Sequence, residues 1–138
     1  MAKKFLTLKE ARELLPLVEE RMERMLKLRN ALDLLESVNS VHEDNYYMLQ
    51  EYIMRSRRKH KLLYLFYKEL AELMVHGAIV KDLESGLVDF CSYHKGKEIL
   101  LCWKLGEEGI THWHNIDEGF TGRQPIAELE ADEFDVHC

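Results

Sequence analysis

Gly86-Leu-Val-Asp-Phe-Cys-Ser-Tyr-His-Lys-Gly-Lys-Glu-Ile-Leu-Leu-Cys-Trp-Lys-Leu-Gly106 is the stretch that decides the fold. Ahead of it, apolar residues recur every three or four positions. Within it they alternate every two, with Lys95-Gly96 between two runs rich in strand-forming residues. Strands joined by so short a turn run antiparallel, because a parallel pair needs a crossover of about a dozen residues. Helices followed by antiparallel strands predict an α+β fold: a long antiparallel helical hairpin packed on a small antiparallel sheet.

Outward from this stretch, Ala78–Val80, Leu87–Tyr93, Glu98–Leu105 and Thr111–Ile116 are the strand candidates. Ser85-Gly86, Lys95-Gly96 and Gly106–Gly109 supply the turns of a meander. Toward the N-terminus, residues 7–38 predict a helix opened by the capping-box spacing of Thr7 and Glu10. Its stripe is Leu8, Ala11, Leu15, Val18, Met22, Met25, Arg29 and Leu32, widened by Leu14, Leu17, Leu28 and Leu35. Pro16 removes a backbone donor inside this pattern, so a kink near residues 12–16, or in its extreme form a separate first turn, is expected. Ser37, Asn39 and Ser40 mark a break before a second helix over residues 43–76.

The stripe expected on that second helix is Tyr46, Leu49, Ile53, His60, Leu63, Tyr67, Leu70 and Met74, with Gly77 as its C-cap. Each helix would run roughly 45 Å at about 1.5 Å per residue. That exceeds what a domain of 138 residues needs, so the far end either stays exposed or finds a partner. A homodimer formed through the hairpin, coiled-coil fashion, is the expected partner arrangement. The chain thus divides into a hairpin (1–77), a sheet with site-bearing loops (78–125) and an acidic tail (126–138), all one structural unit.

Composition narrows the function classes. A net charge of −6 argues against a nucleic-acid binder, which presents a basic footprint. The basic run Arg55–Lys61 winds around its helix, and pairing with Glu19, Glu20 and Glu23 of the neighbouring helix is the plain expectation. No apolar run reaches the ~18 residues of a membrane span. The N-terminus turns acidic before a signal-peptide core forms, so a cytoplasmic protein without membrane contact is expected. Cys91, Cys102 and Cys138 are odd in number and contain no Cys-x-x-Cys pair, which argues against a disulfide framework or a zinc finger.

Parity along the strands locates a site. With the most apolar faces aligned on the hairpin, Val88, Phe90, Ile99, Leu101, Trp103 and Trp113 form the core side. The opposite side then collects Asp89, Cys91, Cys102, His112 and His114. Residues two apart on a strand lie roughly 6.5–7 Å apart, close enough for two imidazoles to converge on one metal ion. His114, His112 and Asp89 are the candidate metal ligands, for a divalent ion such as zinc, iron or manganese. Cys102 is taken as a small core thiol. Glu107, Asp117 and Arg123 are candidate ligand-binding residues. Arg123, in the loop Gly119-Phe-Thr-Gly-Arg123, suits an anion, or else pairs with Asp117 or Glu118.

Phe5-Leu-Thr-Leu-Lys-Glu-Ala-Arg-Glu-Leu-Leu-Pro16, Gly86-Leu-Val-Asp-Phe90, Leu101-Cys-Trp-Lys-Leu-Gly-Glu107, Trp113-His114 and Gly119-Phe-Thr-Gly-Arg123 resemble a small prokaryotic family. It is catalogued as domain of unknown function 2203, and the resemblance covers nearly the whole chain. It implies that Asp89, Phe90, Trp103, Glu107, Trp113, His114, Gly119, Phe120 and Arg123 are motif positions. His112 is not one, and Cys91 stands where the family pattern tends to proline. The family brings no activity, so whether the protein is an enzyme stays open. Two functions follow: a metal- or anion-binding domain with its site on the sheet, or a non-enzymatic dimerisation or protein-interaction module using the hairpin.

Overall fold

A computed structural model describes residues 3–37 and 46–130, without the side chains of Tyr46, Tyr47, Met48 and Phe120. Two helices, α1 (Leu8–Ser37) and α2 (Tyr46–His76), precede five strands. These are β1 (Ala78–Asp82), β2 (Leu87–His94), β3 (Lys97–Lys104), β4 (His112–Asn115) and β5 (Gln124–Pro125), with a 3-10 turn at Phe120–Gly122. The strands form one antiparallel sheet in the order β1-β2-β3-β4-β5. The α+β hairpin-and-sheet fold stands as its sequence predicts. The expected break at Asn39 and Ser40 and the first residues of the expected second helix lie outside the described residues.

At the start of α1 the capping box is made in both directions. Thr7 N donates to Glu10 Oε1 (3.0 Å) and Glu10 N donates to Thr7 Oγ1 (3.1 Å). The first of these bonds holds the Glu10 carboxyl below its ordinary range. The separate first turn does not form, since α1 is continuous through Pro16, which lies on the exposed side. Leu8, Ala11, Leu15, Val18, Met22 and Met25 are buried, as the spacing requires. They join Leu73 of α2 and Val88, Phe90, Ile99, Leu101, Trp103, Ile110 and Trp113 of the sheet half in one core.

The stripe on α2 is a correction. Leu49, Ile53, His60, Tyr67 and Met74 are exposed and Leu63 and Leu70 are half-buried, while the side chain of Tyr46 lies outside the described residues. Among the described residues of α2, Leu73 is the apolar residue buried in the core, with Phe66 and Leu70 packed against it. The helix carries apolar residues on two arcs, and periodicity alone does not say which arc meets α1. Nor do Glu19, Glu20 and Glu23 pair with the basic run. Lys59 meets Glu36 (3.1 Å), Arg55 meets Glu51 of its own helix (3.8 Å), and Glu20 meets Arg24 (2.6 Å).

Turn chemistry sets the register of the sheet. Lys95 (φ 53°) and Gly96 (φ 75°) both lie in the left-handed region, as a two-residue hairpin of type I′ needs. His94 therefore pairs with Lys97, and Asp89 with Cys102. Gly86 has φ 72°, and a Cβ there would fall 2.5 Å from Leu105 Cβ, so no other residue fits. β5 lies outside the expected strands, and Ile126 and Leu129 beyond it are buried. The first residues of the acidic segment thus pack on the core, and Glu130 pairs with Arg12 at 2.5 Å.

Candidate metal centre

The face of the sheet turned away from the hairpin is polar, yet its centre is closed to solvent. Asp89, Cys102 and His114 retain 3%, 2% and 4% exposure. The register explains their meeting. Asp89 on β2 is directly opposite Cys102 on β3, and His114 on β4 is opposite Leu100, one diagonal step from Cys102. One ligand atom from each residue lies within 4.8 Å of the others.

His114 supplies the most telling geometry. Its Nδ1 is 2.8 Å from the carbonyl oxygen of Asn115. A carbonyl only accepts, so Nδ1 carries the proton. In a neutral ring Nε2 then presents its lone pair, and it lies 3.3 Å from Asp89 Oδ2. A lone pair facing a carboxylate oxygen is repulsive unless a proton, on the ring or on the carboxyl, or a cation lies between them. The separation exceeds the roughly 2.7–2.9 Å of a charge-assisted hydrogen bond. It fits the edge of a tetrahedron about an ion, near 3.4 Å for metal–nitrogen and metal–oxygen bonds of about 2.0–2.2 Å.

Cys102 completes the group. Burial and the neighbouring Asp89 carboxylate push its thiol up to about 11, and Arg123 only partly opposes them. The thiol is therefore no ready nucleophile. A divalent cation reverses the balance, because it pays in one step for a buried carboxylate and a thiolate.

The remaining expected residues sort by position. His112 is half-buried, with Nδ1 2.8 Å from Thr111 Oγ1, and lies outside the three-residue group. Arg123 pairs with Glu107 instead of Asp117 or Glu118, its Nη2 donating to both carboxylate oxygens at 2.9 and 3.1 Å. Glu107 also accepts from Lys104 N (2.7 Å) and Thr111 Oγ1 (3.4 Å), while Asp117 is exposed. Cys102 joins the group in place of the core role expected of it. Its strand parity already put it on this face; its residue type argued the other way. Both tryptophans anchor the opposite face, Trp103 Nε1 donating to the Glu107 carbonyl and Trp113 Nε1 to the Pro125 carbonyl (both 3.2 Å).

Among the described residues, no helix is long and apolar enough to cross a membrane. Comparison with curated proteins and with solved structures gives no match. The sequence profile of one family matches residues 4–126 and so takes in every strand and the whole polar cluster. The chain belongs to that family, domain of unknown function 2203 (DUF2203), described as an uncharacterized conserved protein.

Proposed function

We propose that the protein is a metal-binding domain whose Asp89, Cys102 and His114 hold one divalent ion on the sheet. The observation that carries this is the His114 tautomer: Nδ1 is spent on a backbone carbonyl while Nε2 faces the Asp89 carboxylate. Histidine ligands are ordinarily held this way, the far nitrogen fixed by a carbonyl so that the near one points at the metal. Imidazole, carboxylate and thiolate together suit zinc first and ferrous iron second, whereas the thiolate disfavours manganese.

Elemental analysis of untagged protein tests the proposal. One equivalent of metal in the wild type and loss of it in His114→Ala support it. A metal-free wild type whose thermal stability ignores chelator would leave an imidazolium–carboxylate pair and sink the metal centre.

A second reading is supported by α2. Ile53, His60, Tyr64, Tyr67, Ala71 and Met74 follow a coiled-coil spacing, with Arg57 at the one intervening position, and are all exposed. This face suits a second copy of the chain, packed helix against helix. Sedimentation of the wild type against a Tyr64→Ser, Tyr67→Ser variant checks it; a concentration-independent monomer rules it out.

A further inference from the structure

We infer that His112 is the fourth protein ligand of this ion, making the centre a closed, structural site; the inference rests on the metal-binding proposal above. Cross-strand register places His112 directly opposite Cys102, which is directly opposite Asp89. The three residues therefore form one row across β2, β3 and β4 on the same face. Directly opposed Cβ atoms lie about 4.5–5.5 Å apart, within an imidazole's reach of an ion bound to the Cys102 sulfur.

The hydrogen bonds around His112 reproduce the arrangement at His114 by another route. Arg123 holds Glu107 through both carboxylate oxygens, and Glu107 Oε2 lies 3.4 Å from Thr111 Oγ1. Glu107, which only accepts, offers the hydroxyl proton a place, and the hydroxyl oxygen is then open to accept from His112 Nδ1 at 2.8 Å, the arrangement that a metal at Nε2 requires. In that arrangement Nε2 of His112 keeps its lone pair, and both histidines share one tautomer, the first held by a backbone carbonyl and the second by a hydroxyl–carboxylate chain.

Two further features agree. Structural zinc sites take four protein ligands, whereas an open site keeps a position for water. Asp89, Cys102 and His114 are almost fully buried, and His112 beside them in the row is half-buried. Charge also balances. A divalent ion with one carboxylate, one thiolate and two neutral imidazoles is neutral, and Glu107 with Arg123 is neutral beside it. Glu107, Thr111 and Arg123 act here as positioning residues.

The test titrates Co²⁺ into the untagged full chain, follows its absorption, and then displaces it with Zn²⁺. The wild type should give the intense d–d bands of four-coordinate cobalt together with sulfur-to-cobalt charge transfer. In His112→Ala the charge transfer should persist, the d–d bands weaken as water enters, and added imidazole restore them. Thr111→Val, which alters only an exposed hydroxyl, should keep the wild-type spectrum while affinity falls about 10- to 100-fold. Wild-type bands and affinity in His112→Ala would overturn the fourth ligand and leave a three-ligand site. A wild type that binds no cobalt or zinc would remove the metal centre itself.

Discussion

The two faces of the central strands are equally dry and chemically opposite. On the hairpin side Phe90, Leu101 and Trp103 are 0–1% exposed; on the far side Asp89, Cys102 and His114 are 2–4% exposed. The first face needs nothing but shape, because dispersion and loss of water act without direction. The second gains little from being dry. A buried carboxylate costs several kcal/mol or more unless something compensates its charge. Equal burial therefore has two causes, and the Asp89 carboxyl of the polar face has to be compensated or neutralised where the apolar face has no such requirement.

The largest expected effect lies on the apolar face. Trp103→Ala or Phe90→Ala should cost about 3–5 kcal/mol in chemical denaturation, with the same loss in metal-replete and chelated protein. Dependence on chelator would break the separation of the two faces.

On the polar face the stability at stake depends on ligand. At a free metal concentration about a hundredfold above Kd, chelation should remove about 2.7 kcal/mol from the wild type. In His114→Ala and Asp89→Asn it should remove nothing. Thermal unfolding with and without chelator reads this directly, and equal chelator shifts in all three proteins would place the ion elsewhere.

Alkaline pH gives a smaller handle on the same face. The Cys102 thiol is raised to about 11 from an ordinary 9.0, so the folded state holds its proton longer than the unfolded chain does. The sign follows by linkage. The stability contribution is complete below about pH 9 and is lost as pH rises from there through about 11, a change of up to about 2 kcal/mol in metal-free protein. Cys102→Ala should flatten this part of the pH–stability curve. Bound metal should also flatten it, because the ligand is then already a thiolate.

Legibility from sequence followed the number of competing arcs. α1 has one continuous apolar stripe interrupted only at Arg29, and that stripe is the one buried from Leu8 to Met25. The strands alternate cleanly, so parity alone separated Phe90 and Trp103 from Asp89 and His114. On α2, Leu62, Phe66 and Leu73 compete with Leu49, Tyr67 and Met74, and only the position of α1 decides between them. β5 is two residues long and contains Pro125, too short for any period to register. Cys102 was hidden by chemistry: a thiol suits an apolar core or a metal shell equally well.

The outward arc of α2 is the mirror of the polar face, apolar yet wet. Tyr64 and Tyr67 are 67% and 60% exposed. In a dilute monomer their replacement by serine removes almost no buried area, so stability should move by no more than about 0.5 kcal/mol. If two copies pack along this arc, the same pair of substitutions lowers the melting temperature, and the loss grows with protein concentration because association stabilises by mass action. Melting curves across a hundredfold dilution therefore separate the cases. A flat response leaves α2 with an exposed apolar face and no partner of its own kind. A concentration-dependent one means that the helix, like the polar face under the metal proposal, is complete only with a component from outside the single chain.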